Sequence, residues 1–393
     1  MNFTPKPKSL AGAVGFLVLV PTIFFGSSYF YRISYDSREK YENISEVATT
    51  TKEVAKDVFV ATHVKTPDAV KAIYMSACVA GTPSWRDSLL KMIDETELNS
   101  LVIDIKDYTG TISFQTENPI LKENLGTGCK VKDMREFVEK LHKHNVYVIG
   151  RVTVFQDPYY TKKHPESAVK SLATGGIWKD HKGLAFIDVG AKDYWDYVIA
   201  LAKDSYNAGF DEINFDYIRF PSDGNMKDTN FTFLPATSTK ADSVKHFWEY
   251  LHSNLKDTGM VTSADLFGMT TTNKDDLNIG QVLENALPNF DYVAPMVYPS
   301  HYPKGFNGWS NPNEHVYGVV NFSMSHAVDR ANLASTSPLK LRPWLQDFDY
   351  GGNYGEAEVR AQMKATYDTG LTSWMLWDPS NKYTKEALLK ETQ

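Results

Sequence analysis

The strongest constraint on this chain is an alternation repeated eight times between residues 70 and 393. A short apolar run rich in β-branched and aromatic residues is followed each time by an amphipathic stretch. The runs are KAIYMSA (71–77), SLVIDIK (100–106), VYVIGRVTVF (146–155), EINFDYIRF (212–220), MVTSADLFG (260–268), DYVAPMVYP (291–299), LRPWLQDF (341–348) and SWMLWDP (373–379). Helical spacing follows near 84–98, 131–144, 192–208, 241–257, 279–286, 314–333 and 356–369, and a short helix is expected at the C-terminus. Eight strand-then-helix units predict an α/β fold, a (β/α)8 TIM barrel over residues 70–393. A doubly wound open sheet is the alternative. It would usually carry a glycine-rich phosphate turn after its first strand, and GTPSW (81–85) is only a turn.

The segment before the barrel sets the expected compartment. Residues 9–31 carry no charge, long enough to cross a bilayer, and Lys6 and Lys8 precede them without an acidic residue. We read a cytoplasmic tail at 1–8, a transmembrane helix at 9–31 and a polar stalk at 32–69. The barrel would then be an extracytoplasmic domain on a single-pass cell-membrane protein. A cleaved signal peptide ending near Gly26-Ser27-Ser28, giving a secreted protein, is the competing reading. The two cysteines, Cys78 and Cys129, show no metal-ligand spacing. Two free thiols are expected, with a single bridge as the alternative. The net charge of −7 and the lack of a long basic run argue against a nucleic-acid partner, and a monomer is expected.

Barrel enzymes build their sites from strand C-terminal ends, so the polar residues there are the candidates. Strand alternation sorts them further. In EINFDYIRF, Ile213, Phe215 and Tyr217 share one face, which turns Asn214 and Asp216 toward the barrel interior. The same reasoning turns Asp104 and Lys106 inward from LVIDIK, and Asp265 inward with Ser263 from VTSADLFG. A buried aspartate is costly unless paired or hydrogen-bonded. Three such carboxylates on neighbouring strands therefore suggest chemistry. Asp104 beside Lys106 also reads as an internal ion pair.

Two carboxyl groups flanking a glycosidic bond are sufficient for its hydrolysis, one donating a proton and the other attacking the anomeric carbon or activating water. Asp216 is the expected nucleophile or stabilising carboxylate and Asp265 the expected acid/base, with Asp347 as a reserve second carboxylate. Asp104, Lys106, Arg151, Asn214, Arg219, Tyr298, Trp344, Gln346 and Trp377 are the expected substrate-binding residues. Trp178 and Trp309 are further candidates for stacking on sugar rings. His142 and His144 form an HxH at a helix end, on the face opposite the expected site. No HExxH, no GxSxG elbow and no flavin or pyridoxal phosphate motif is present, so neither cofactor nor metal is expected.

The run GFDEINFDYIRFP (209–221) resembles the signature of a bacterial family of glycoside hydrolase-like TIM barrels catalogued as a domain of unknown function. The segments VIDIKD (102–107), RVTVFQDP (151–158), GGIWKDHKGLAFID (175–188), SADLFG (263–268), YVAPMVYPSHY (292–302), RPWLQDF (342–348) and WMLWDPSN (374–381) extend the likeness across residues 70–385. The fourth strand is also similar to the DGxDxDxE strand of family 18 chitinases. Asp211, Asn214 and Asp216 fall on its three aspartate positions, but Ile218 stands where the catalytic glutamate would be, which speaks against substrate-assisted chitinase chemistry. The looser likeness to α-amylase-type barrels implies an aspartate nucleophile after strand four and an acid after strand five, the places of Asp216 and Asp265. The resemblances imply a glycoside hydrolase, and with the uncharged run at 9–31 the expectation is a membrane-anchored enzyme acting on cell-envelope or extracellular polysaccharide. The rival readings are a non-catalytic carbohydrate-binding barrel and an inert envelope scaffold.

Overall fold

A computed structural model describes residues 59–390 of the 393-residue chain. The expected tail at 1–8, the anchor at 9–31 and most of the stalk lie outside the described residues. Among the described residues, no helix is long and apolar enough to cross a membrane.

Eight parallel strands close into a barrel: β1 (Lys71–Met75), β2 (Ser100–Lys106), β3 (Tyr147–Thr153), β4 (Glu212–Asp216), β5 (Val261–Phe267), β6 (Tyr292–Met296), β7 (Trp344–Gln346) and β8 (Trp374–Trp377). Each strand pairs with its neighbours in sequence, and β8 closes on β1. The predicted strands each contain one of these elements; β2 fills its predicted run, and the other seven end short of theirs. The outer layer is α1 (Pro83–Asp94), α2 (Met134–Lys143), α3 (Lys192–Asn207), α4 (Lys240–Leu255), α5 (Leu283–Ala286), α6 (Val316–Leu333) and α7 (Glu356–Asp368). The expected terminal helix is a single 3-10 turn, Lys385–Ala387. Local sequence explains the starts: Pro83 occupies the first turn of α1, and Thr239 with Asp242 forms a capping box on α4.

The strands separate two apolar layers. Outward residues such as Ile103, Ile105, Ile213 and Phe215 join the large core between barrel and helices. At Gly150 the layer is so close that an added Cβ would lie 2.1 Å from Ile105 Cδ1, so a larger residue there requires the Ile105 side chain to shift. The interior holds a smaller apolar cluster that includes Val102, Ile149, Ala294 and Trp344. Beneath it, Glu212 accepts from Tyr147 Oη at 2.9 Å and from Arg342 Nη1 at 2.8 Å, all three side chains being buried. The chain ahead of β1 lies against this end. Val64 N donates to Asp211 Oδ1 at 2.7 Å, and Thr66 Oγ1 donates to Tyr147 Oη at 3.0 Å.

Cys78 and Cys129 form a disulfide, with Cα atoms 4.8 Å apart, so the expectation of two free thiols is corrected. The two residues are 51 apart in sequence, but β1 and β2 are adjacent, and the loops leaving them meet. A Cβ on Gly81 would lie 2.4 Å from the Lys130 carbonyl oxygen. Closing a loop of this length restricts the unfolded chain, a contribution of about 3–4 kcal/mol. Cys78→Ser/Cys129→Ser should lower the unfolding free energy by about that amount in denaturant titration. A titration of the folded, non-reduced protein that finds two free thiols would exclude the bridge.

Candidate active site

The ends of β2 to β5 and β8 converge on Arg151. Its Nη1 donates to Asp104 Oδ1 at 2.6 Å, its Nη2 donates to Asp216 Oδ2, and its Nε lies 3.9 Å from Asp265 Oδ2. Burial opposes the charge of the guanidinium, but Asp216 and Asp104 outweigh it and hold Arg151 well above its ordinary range. Asp104 is also held by Tyr74 Oη, whose ring stacks on Trp377 at 3.9 Å. Trp377 lies 5.0 Å from the Arg151 guanidinium. The residues Asp104, Arg151, Asp216 and Asp265 thus form one buried group, as strand parity predicts for the three carboxylates.

Asp216 and Asp265 differ in setting. Asp216 Oδ1 accepts from Tyr217 N at 2.6 Å, and Tyr217 has φ of +52°, a left-handed conformation that a tyrosine adopts at a cost. The strained turn ends β4 and aims an N–H at the carboxylate. Asp265 is 1 % exposed. Its Oδ1 accepts from Asn214 Nδ2 at 2.9 Å and from the Trp344 indole N–H at 2.7 Å. Burial, then the nearby Asp216 charge, push the Asp265 carboxyl well above the usual carboxylate range, against the smaller opposing effect of Arg151 and the two donors. The Asp265 carboxyl is thereby displaced toward its protonated form.

These groups open into a cavity of 410 Å³ lined by Arg151, Asp216, Arg219, Asp265, Tyr298, Trp344 and Trp377. Phe267, Met296 and Tyr302 add apolar wall. Gly268 fits against the Met296 carbonyl, where a Cβ would come within 2.4 Å. Two more open cavities adjoin. One of 710 Å³ shares Arg151, Tyr217, Arg219 and Trp377 with the first. The other, of 1080 Å³, shares His301 and Trp377. Trp377 borders all three.

Several expected site residues lie elsewhere. Asn214, expected to bind substrate, is fully buried and does not line the cavity; its amide donates to Ser263 Oγ and Asp265 Oδ1. Lys106 is fully buried, donates to the Thr153 carbonyl and sits 2.9 Å from Asp157 Oδ2. The β2–β3 register shifts between Asp104 and Lys106, so the alternation that aims Asp104 at the cavity does not carry to Lys106. The expected Asp104–Lys106 pair is accordingly two separate pairs, Asp104–Arg151 and Lys106–Asp157. Gln346 is also fully buried. It accepts from Ser300 N and Oγ and donates to the Phe348 carbonyl, bracing the loop after β6 instead of facing the cavity. Asp347 lines the 1080 Å³ cavity and is held by Thr384 N and Oγ1, with burial raising it to about 6. It does not line the cavity of Asp216. Trp178 packs with Val169 and Phe186, and Trp309 stacks on His315 at 5.0 Å, so neither lines the 410 Å³ cavity. His142 pairs with Asp211 at the far end of the barrel. Sequence reasoning missed Tyr74, which holds Asp104. The inward parity it shares with Ala72 on β1 was the available signal.

Residues 72–383 match the family described as "Putative glycosyl hydrolase domain". Among solved structures, a hypothetical protein from Ruminiclostridium thermocellum is 31% identical over 53% of this chain and 98% of its own, with a TM-score of 0.45. The glycoside hydrolase domain of PgaB (BpsB) from Bordetella bronchiseptica is 13% identical, covering 82% of this chain and 100% of that domain, with a TM-score of 0.56. Alpha-L-fucosidase isoenzyme 2 from Paenibacillus thiaminolyticus is 13% identical, covering 81% of this chain and 48% of the enzyme, with a TM-score of 0.56. At such identities the last two likenesses are of the barrel fold. No curated protein sequence is significantly similar to this one. The match runs from β1 to beyond β8, and the chain belongs to this family of glycosyl hydrolase domains.

Proposed function

We propose that this protein hydrolyses glycosidic bonds of a cell-envelope or extracellular polysaccharide with Asp265 as general acid and Asp216 as nucleophile or charge-stabilising carboxylate. The observation that carries this reading is the contrast between two carboxyls on adjacent strands in one cavity. Asp265 is pushed toward its protonated form, while Asp216 is held against Arg151. Asp265 Oδ1 is taken up by two donors, which leaves Oδ2 to carry the proton. That proton passes to the leaving-group oxygen as the bond to the anomeric carbon breaks. Asp216 attacks the anomeric carbon or stabilises its positive charge. The ionised Asp265 then takes a proton from water as the water oxygen bonds to the anomeric carbon, and where Asp216 has bonded to that carbon this bond breaks and returns the free carboxylate. Trp377, Tyr298 and Trp344 supply aromatic walls for the sugar.

The disulfide supports a non-cytosolic barrel, since bridges persist in oxidising compartments. Together with the uncharged run at 9–31 it favours a membrane anchor with the barrel outside the cytoplasm.

Incubation with a panel of bacterial exopolysaccharides and peptidoglycan, read by release of reducing ends, tests the activity. Asp216→Asn should abolish release and keep the native circular dichroism. Binding of polymer without release by the wild type would give the non-catalytic reading instead. Asp265→Asn should lower kcat/KM by about 10²–10⁴. Because the acid form is the working one, wild-type activity should fall as pH rises through the elevated Asp265 value. An alkaline limb unchanged in Asp265→Asn would remove Asp265 from the role.

Asp265→Asn should move stability opposite to activity. In the interval between the ordinary and the raised carboxylate values, the folded state binds the proton that the unfolded state has lost, so rising pH destabilises the fold through this group. Asparagine keeps an oxygen for the Trp344 and Asn214 donors and has no charge to desolvate. Asp265→Asn should therefore raise Tm at neutral and alkaline pH, with the gain shrinking below the ordinary carboxylate range. A lowered Tm at pH 8 would contradict the burial argument.

A further inference from the structure

Arg219 stands three residues beyond Asp216 and borders both the 410 Å³ and the 710 Å³ cavities. It is 8 % exposed, and its guanidinium lies between the Phe267 ring at 4.5 Å and the Tyr217 ring at 4.9 Å. Buried guanidinium groups are ordinarily paired with a carboxylate. Elsewhere in the described residues that rule holds. Arg86 pairs with Asp133, Arg151 with Asp104 and Asp216, Arg330 with Glu284, and Arg342 with Glu212. Among the described residues, Arg219 is the buried arginine that has no carboxylate partner.

Its hydrogen bonds show which edge is unused. Nη1 donates to the Phe220 carbonyl at 2.9 Å and to Ser222 Oγ at 3.1 Å, which occupies both of its hydrogens. Nε and Nη2 have no protein acceptor, and neither is sealed from solvent. Two parallel N–H groups on the free edge of a guanidinium match the two oxygens of a carboxylate. The surrounding charge narrows the choice of anion. Asp216 and Asp223 already act on Arg219 through space, so a singly charged planar group suits the site better than a doubly charged phosphate.

We propose that Arg219 is a specificity subsite for a carboxylate-bearing sugar, so that the glycan recognised by this barrel is acidic. The inference rests on the hydrolase reading for its substrate class, but the subsite itself is a matter of binding. The carboxylate lies against the Nε–Nη2 edge at the junction of the two cavities, and the ring it belongs to extends toward Trp377, which lines both. A hexuronic acid and a sugar bearing a carboxylic acid ether both supply this group.

Isothermal titration of the full-length protein with methyl β-D-glucuronide, methyl β-D-glucoside and methyl 6-O-sulfo-β-D-glucoside tests the proposal. The wild type should bind the glucuronide about tenfold or more tightly than the neutral glucoside. Arg219→Gln should bring the two within about twofold, and Arg219→Lys, which keeps charge without the fork, should retain only part of the preference. Unfolding midpoints of both variants establish that they fold, and the lysine variant carries the test if glutamine does not. Equal affinities in the wild type, no binding of either sugar, or a preference that survives Arg219→Gln would each overturn the subsite. Tighter binding of the sulfated probe would overturn the carboxylate in favour of a sulfate ester. A carboxylate preference in a protein that hydrolyses nothing would leave the subsite standing and remove the hydrolase reading. Hydrolysis of neutral polymers with no such preference would do the reverse.

Discussion

Everything at the mouth of this barrel depends on one cation. Arg151 rises from β3 between β2 and β4 and reaches Asp104 and Asp216 with its two terminal nitrogens while its Nε approaches Asp265. Without it, three carboxyls would face one another in a medium that screens charge poorly. With it, Asp104 and Asp216 each face a cation, and burial pushes Asp265, farther from that cation, toward its protonated form. The division of labour between Asp216 and Asp265 is thus a property of the whole cluster and not of either residue. The Trp377 and Tyr74 rings pack on the same guanidinium, which fixes its position as well as its charge.

The opposite end of the interior is built on a similar plan to a different end. Glu212 and Arg342 pair in full burial below the apolar layer, with Tyr147 as a third member. Asp211, nearby in sequence, is consumed by Val64, Val148 and His142. None of these groups lines the cavity around Asp216. The apolar middle separates a polar plug from a polar site, and each end pairs its charges locally, with no side chain common to both. This explains why Asp211, which aligns with a chitinase aspartate, has no part in the chemistry proposed for Asp216.

Strand parity made the fold and the heart of the site legible. Asp104, Asn214, Asp216 and Asp265 all point inward as alternation requires, because their odd-numbered or even-numbered neighbours are apolar enough to fix the outward face. The same rule failed at Lys106, where a register shift near the strand end redirects the side chain, and no residue type in VIDIKD announces it. It placed Gln346 correctly toward the strand end but could not show that Ser300 from the loop after β6 would occupy it. Asp347 follows the last residue of β7, where alternation no longer fixes a face. The disulfide was hidden for another reason. Whether two cysteines meet depends on how two loops fold over the rim, and spacing along the chain carries no information about that. Arg219 was visible as a residue, but the absence of a partner is a property only three dimensions can display.

Trp377 touches the Arg151 cluster on one side and forms wall for three cavities on the others. A single indole is therefore a shared partition. Enlarging or shrinking any one compartment by moving it alters the remaining two at once, and also the packing that holds the guanidinium. Selectivity among the compartments cannot be tuned independently through this residue. Variation in what the barrel accepts must instead come from the loops farther out, where Tyr350 and Tyr108 stand exposed at the rims of different cavities.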